Sequence, residues 1–320
     1  MRKLHILNGE GTASSFSRSG ISGDNMVWNE ALCQGPPPLT TSLTEFMEIR
    51  TPFLAGDWEA TSTQLDNFRQ QWEMLLDLET YQEITLWFEY DLFCQANLLY
   101  LSHFLHSTGF QGKVTLVSPA NHPEVEDFRG MGQLSSRQLA GLYPNRTHLD
   151  STSLAFGSQI WKAWCQADLT WLSQLSQETD PGWPHLSSAL IALFEELPST
   201  ENGTSLTEQI FLEQLVTGPK SRGQAFRHFL HQRDLLGYGD LQFFQLVDGL
   251  APHFVEMKDN SYHLKLEGRR ILRHEINRTN ASIKRWVGPI LLMDEDFPYQ
   301  WDRIRKKIVP SPDLPNNTES

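Results

Sequence analysis

Cysteine, long apolar runs and, over the first two thirds, cationic side chains are scarce in this chain, and each scarcity excludes something. The three cysteines, Cys33, Cys94 and Cys165, are odd in number and far apart, which indicates neither a disulfide framework nor a structural zinc site. No apolar run reaches the length that spans a bilayer. Met1-Arg2-Lys3 is followed by only four mostly apolar residues, too few for the hydrophobic region of a secretory leader. A cytoplasmic protein with no membrane partner is expected, so the sequon Asn202-Gly203-Thr204 carries no glycosylation meaning. Residues 1–200 hold ten Lys and Arg against 23 Asp and Glu, whereas residues 201–320 hold sixteen of each. The first part therefore repels polyanions, and any nucleic-acid contact falls to the C-terminal part. Two phosphate-binding signatures are also missing. There is no Gly-Lys-Ser/Thr of a P-loop, and Ser14 stands where a dinucleotide fingerprint needs its third glycine.

What is present is an alternation of strands and helices in a chain of 320 residues, long enough for more than one domain. Residues 4–7, 26–28, 84–88 and 113–117 read as strands. Residues 64–79, with Leu65, Phe68, Trp72 and Leu75 at helical spacing, and residues 91–106 read as helices. Such alternation predicts an α/β fold with a mainly parallel sheet and flanking helices. From about residue 130 the strands are expected to stop, and the stripe containing Trp161, Trp164 and Trp171 reads as core or inter-domain packing. A linker at 198–204 precedes Ser205-Leu206-Thr207-Glu208, a capping box that starts a helix. Helices at 224–233 and 240–251 and a hairpin over 254–266 follow, the order of a winged helix. The expected organisation is an α/β domain with an acidic pocket at 1–130 and a helical connecting region at 131–199. A winged-helix-like domain at 200–275, an extension at 276–309 and a disordered tail at 310–320 complete it.

In a parallel α/β sheet the ligand crevice lies beyond the C-terminal ends of the strands. Asn8-Gly9-Glu10-Gly11-Thr12 follows the first strand, Asn29-Glu30 the second, and Glu89-Tyr90-Asp91 the third, with Gln95 one turn later. Carboxylates sharing one edge repel unless a cation, a proton or a basic ligand compensates. Glu10, Glu30, Glu89 and Asp91 are therefore candidate acid/base or metal-binding groups, with a divalent cation such as magnesium the fitting cofactor. Asn8, Gly9, Thr12, Arg50 and Gln95 are the candidate ligand-binding residues. Two plainer readings stand beside these: Asp91 caps its helix, and Arg50 pairs with a carboxylate instead of binding an anionic substrate. Cys33 and Cys94 have acidic neighbours, which raise a thiol pKa and argue against a nucleophile. The opening glycine turn is by default a tight corner.

The stretches LHILNGEGT (4–12), WNEALCQGP (28–36), RTPFL (50–54) and LWFEYDLFCQ (86–95) resemble a bacterial family of uncharacterised proteins, the domain of unknown function eighteen thirty-five. Weaker similarity continues through residues 132–142 into the winged-helix-like part, so the resemblance covers most of the chain. The family pattern more often reads Asn-Gly-Asp-Ser at 8–11, His at Cys33 and Tyr90, and Asp at Cys94, whereas Glu89, Asp91 and Gln95 match. The missing histidines and acid imply an altered or lost activity in this copy. Two functions are expected from the whole: a hydrolase or transferase working in the acid-lined pocket on a small molecule, or a non-catalytic ligand-sensing regulator. In the second, the winged-helix-like part engages a protein or nucleic acid. Its third helix holds two Asp and no Lys or Arg, a poor surface for DNA phosphates. The basic residues Arg269, Arg270, Arg273, Arg278, Lys284 and Arg285 lie further on and are expected mainly to pack within the protein.

Overall fold

The computed structural model of the chain describes residues 2–178, 180, 182–278, 284–293 and 298–311. Strands β1 (Lys3–Leu7), β2 (Asp24–Val27), β3 (Glu83–Trp87), β4 (Lys113–Val117) and β5 (Thr147–Leu149) form one sheet in the order β2-β1-β3-β4-β5. The β1–β2, β1–β3 and β3–β4 pairs are parallel, and β5 runs antiparallel to β4. Helices α1 (Gly9–Phe16), α2 (Leu43–Gly56), α3 (Ser62–Glu73), α4 (Leu92–Ser107) and α5 (Ser136–Leu142) connect them. Leu7 lies opposite Val27 and Trp87, and Trp87 opposite Val117, so the loops after all four parallel strands leave from one edge.

The short apolar strands follow from burial on both faces of a parallel sheet; all five residues of β3 are buried. Helix α4 is buried over thirteen of its sixteen residues, so its polar side chains must find partners inside. Asn97 accepts from the Trp28 indole (3.1 Å) and donates to the Glu30 carbonyl (2.7 Å), while His103 meets Ser158 at 2.9 Å. His5, mid-strand and fully buried, accepts from the Trp87 indole at 3.2 Å. Helices α6 (Ser151–Cys165), α7 (Leu169–Leu175) and α8 (Leu186–Phe194) follow, with α6 packed along α4. Trp161 and Trp164 are fully buried and stacked, and Trp161 donates to the Pro38 carbonyl at 3.1 Å. Trp171 packs against the same core, half-buried.

Helix α9 (Leu206–Gln214), strand β6 (Lys220–Ser221), helices α10 (Arg222–Gln232) and α11 (Asp240–Asp248), strands β7 (Val255–Lys258) and β8 (Ser261–Leu264) and helix α12 (Leu266–Leu272) come next, with sheet order β6-β8-β7. Ser205 and Glu208 form the expected capping box, each side chain bonding the other's backbone N–H. Two separate antiparallel pairs close the described chain: β9 (Lys284–Val287) with β10 (Ile290–Met293), and β11 (Tyr299–Asp302) with β12 (Lys307–Pro310).

Four expectations are corrected. Strands do not stop at residue 130, because β5 extends the sheet with only three residues, too few to carry an alternation. Residues 74–80 are a 3-10 turn broken at Asp77 and not a continuation of α3. Residues 198–204 are no loose linker. Ser199, Asn202 and Thr204 are buried, and the Asn202 side-chain oxygen accepts from the Ser199 hydroxyl (3.0 Å), the Thr204 N–H (3.1 Å) and the Thr204 hydroxyl (2.7 Å). Trp301 of β11 docks on this segment, donating its N–H to the Pro198 carbonyl at 2.9 Å. The tail expected from 310 begins with Pro310 inside β12; residues 312–320 lie outside the described residues.

Asn202→Ala leaves a buried N–H and two buried hydroxyls without their acceptor, at about 1–3 kcal/mol for each unsatisfied group. Urea unfolding at pH 7 is expected to show a loss of at least about 3 kcal/mol. A true linker residue would change stability by no more than about 0.5 kcal/mol.

Candidate functional site

The strand order reverses between β1 and β3, which makes their C-terminal ends the switch point where ligands of open α/β sheets bind. Asn8 and Glu89 meet there. The Asn8 amide donates to Glu89 Oε2 at 3.0 Å, the Cys94 thiol donates to the same oxygen at 3.1 Å, and the Met131 backbone N–H donates to Oε1 at 2.6 Å. Gln95, one turn into α4, donates to the Glu89 carbonyl at 2.7 Å. Asp91 caps α4, its Oδ1 accepting from the Cys94 N–H at 2.8 Å. The plainer reading of Asp91 thus describes what its side chain does, and Gln95 fixes backbone instead of facing a ligand.

This cluster is closed. Glu89 and Asp91 are both buried, and segments from elsewhere cover them. Met131 approaches from the turn before α5, and Gly237 rests on Asp91. A Cβ at residue 237 would stand 2.5 Å from Asp91 Oδ1, and its φ of +65° suits glycine. Burial pushes the Glu89 carboxyl above the ordinary carboxylate range, against the pull of its three donors. Asp91 is pushed up to about 7, by burial first and by the Glu89 charge second. Burial, with the Asp91 and Glu89 charges, also raises the Cys94 thiol, and burial raises Cys33, so both remain thiols. Tyr90 donates to Asp234 at 3.2 Å, a partner about 140 residues on that local sequence could not reveal.

The four acids do not share a site. Glu30 and Arg50 are fully buried and form an ion pair, with Arg50 Nε 2.9 Å from Glu30 Oε2. Arg50 Nη2 donates to Glu30 Oε1 (3.0 Å) and the Ala31 carbonyl (3.0 Å), and Nη1 to the Gln34 (2.9 Å) and Pro36 (3.1 Å) carbonyls. With Nε also on Glu30, every donor of the guanidinium is committed. Arg50 is therefore a structural partner and not a ligand-orienting group, and Glu30 is not an available acid or base. Gly9, at φ +82°, makes the corner into α1, and Thr12 is buried behind it. A divalent cation does not fit here. Glu89 is engaged by three donors, Glu30 by a guanidinium and Asp91 by a helix N-terminus. Among the described residues no three His, Cys, Asp or Glu side chains are arranged to hold a metal.

Glu10 differs. It is exposed in the first turn of α1, enters no ion pair or hydrogen bond among the described residues, and lines a groove of about 370 Å³. The groove lies at the C-terminal end of the edge strand β2, between Val27 and Asn29, and its opposite walls are α2 and α3. Its size falls in the range that holds small ligands, whereas the cavities beside α11 (about 170 Å³) and beyond β4 (about 210 Å³) fall below it. Trp58, Gln64, Asn67, Phe68 and Gln71 line it as well. Sequence reasoning missed these residues, although Gln64, Asn67 and Gln71 recur at i, i+3 and i+7, one face of a helix.

Asp91 gives a test of the closed cluster. Its folded pKa, about 7, lies above the ordinary 3.8. The stability it contributes is therefore complete below about pH 4 and is lost as pH rises through 7. His5 and His103, both pushed down to about 4 by burial, act in the opposite direction, but equally in parent and variant. Asp91→Asn should therefore gain on the parent between pH 4 and 7 and hold that gain above, read from urea midpoints at pH 4.5, 6 and 8; a difference independent of pH would contradict the assignment. Comparison with protein-family models finds no match, and comparison with curated proteins finds no significant match, so the site is read from its geometry.

Proposed function

We propose that this chain is a ligand-sensing regulator that binds a small molecule in the Glu10 groove. The observation that carries the reading is that Glu10 alone, of the four acids on the sheet edge, faces open space. A hydrolase or transferase working through Glu30, Glu89 and Asp91 loses support. Those groups are buried, and their oxygens already serve Arg50, three donors from separate segments, and the start of α4.

Kinship with the domain of unknown function eighteen thirty-five belongs to the same proposal; Glu89, Asp91 and Gln95, which match that family's pattern, lie together at the start of α4. A winged-helix-like module is also part of it. Its support is the order α9, β6, α10, α11, then the β7–β8 hairpin, with β6 paired to β8. Helix α11 holds Asp240 and Asp248 and no cation, so a protein surface suits it better than DNA phosphates. Of the basic run, Arg278 pairs with Glu208, and Arg285 donates to the Glu196 carbonyl and approaches its carboxylate. Both are consumed inside the protein.

The groove reaches this module through one residue. Trp58 lines the groove, and its neighbour Asp57 accepts a hydrogen bond from Gln245 of α11 at 2.6 Å through its carbonyl. A ligand that settles against Trp58 therefore bears on one of the contacts that position α11.

A thermal-shift screen of uncharged and charged metabolites tests the proposal. A ligand at about 100 times its Kd adds about 2.7 kcal/mol to stability. That stabilisation should vanish in Glu10→Gln and survive in Glu89→Gln, with no turnover of the ligand. Turnover that Glu89→Gln abolishes would restore the enzymatic reading.

A further inference from the structure

Resting on that reading of the groove, we infer that its ligand is an uncharged ring bearing vicinal hydroxyls, as in a free sugar or the ribose of a nucleoside, without phosphate. The lining contains one carboxylate, Glu10, and no cationic side chain. It also contains four carboxamides, and their existing bonds decide what they offer. Gln64 Oε1 already accepts from the Thr61 N–H and hydroxyl, both at 2.9 Å. Gln71 Oε1 accepts from the Val27 N–H at 3.0 Å, closing the free edge of β2. What Gln64 and Gln71 have left are their N–H donors. The Asn29 and Asn67 side chains enter no hydrogen bond among the described residues, so each offers a donor pair and an acceptor.

The groove is thus rich in neutral donors, with a single strong acceptor. A polyamine or other cation carries only donors; it would find acceptors in Glu10 and the Asn29 and Asn67 side-chain oxygens but leave the Gln64 and Gln71 NH2 groups unpaired. A phosphate would accept from the amides but would bring its charge against Glu10 with no cation to offset it. Hydroxyl oxygens accept from the amides and also donate. Two adjacent hydroxyls match the two oxygens of a carboxylate, the contact by which an acid holds the ribose in dinucleotide sites. The half-buried Trp58 indole gives such a ring a flat apolar face, and buried Phe68 lies among the lining groups.

Isothermal titration calorimetry on the full chain tests this with ribose, glucose, adenosine and uridine, the 5′-monophosphates of the two nucleosides, glucose 6-phosphate, and spermidine. At least one uncharged probe is expected to bind with quenching of tryptophan fluorescence that Trp58→Leu removes. Its phosphate ester is expected to bind at least tenfold more weakly, the Glu10 charge opposing the phosphate. Binding by the sugars alone, or by the nucleosides alone, identifies the source of the ring. Asn67→Ala, at an exposed position whose side chain enters no hydrogen bond among the described residues, should weaken the same probe several-fold while leaving the circular dichroism and Tm of the parent. Preference for a phosphate ester or for spermidine would overturn the ligand class while leaving the groove as a binding site. Should no probe bind and no metabolite of the thermal-shift screen stabilise the chain through Glu10, the groove reading itself falls.

Discussion

The buried carboxyl of Glu89 is the constraint around which the molecule is arranged. Removing such a group from water costs several kcal/mol unless donors replace the lost hydration. Here the donors come from three places far apart in sequence: Asn8 at the end of β1, Cys94 in the first turn of α4, and the Met131 N–H just before α5. One side chain thus sets the end of β3 against the end of β1, the start of α4 and the turn that follows β4. Asp91, two residues on, is raised partly by the Glu89 charge, so the two carboxyls are coupled and a proton held by one relieves the other. Cys94 fits this logic. A carboxylate at that position would bring a third negative charge to within hydrogen-bond reach of Glu89, whereas a thiol supplies a donor.

Closing the switch point displaces the open site. The crevice between β1 and β3 is filled from one side by residues 130–131 and from the other by Gly237, whose lack of a side chain lets the segment before α11 rest on Asp91. What stays accessible on the same edge is the outer end of β2, where no further strand pairs and Gln71 of α3 takes the Val27 N–H instead. An edge strand must be covered or pinned. The helix that pins this one also brings Gln64 and Asn67 to the groove, so closing the strand edge and furnishing the groove follow from the same face of α3.

The mainly parallel sheet, its strand ends and the capping box at Ser205 were legible in the sequence, because they depend on local pattern: apolar runs such as ITLWF, and Ser205 three residues before Glu208. The site was legible only in part. Proximity along the edge was inferred for Glu10, Glu30, Glu89 and Asp91, but strand register says which loops are neighbours and not which way a side chain turns. Arg50 shows the difference. Its charge and its place near the acidic loops fitted a ligand-binding role as well as an internal one, and only the five committed donors separate them. The missed covering groups, Met131, Asp234 and Gly237, act through contacts across 42 to 146 residues of chain, beyond any periodicity.

Charge counting was informative in part. The basic residues of the C-terminal part were expected mainly to pack within the protein; Arg278 and Arg285 do so in an internal network, whereas Arg269, Arg270 and Arg273 are exposed. Arg233 bridges Glu195 and Glu196, Arg285 approaches Glu196 and Glu208, and Arg278 pairs with Glu208. Pairs buried this way cost nearly as much in desolvation as they return, and their use is to hold one arrangement against others. They tie the end of α8, the start of α9, the end of α10 and strand β9 into one junction, so α11 has a firm support on that side. On the groove side Gln245 of α11 donates to the Asp57 carbonyl, and at the C-terminal end of the helix Asp248 accepts from the Tyr262 hydroxyl and pairs with Arg222. Of these contacts the Gln245 bond is the one beside the groove, so it is the contact that a ring seated on Trp58, next to Asp57, would disturb first.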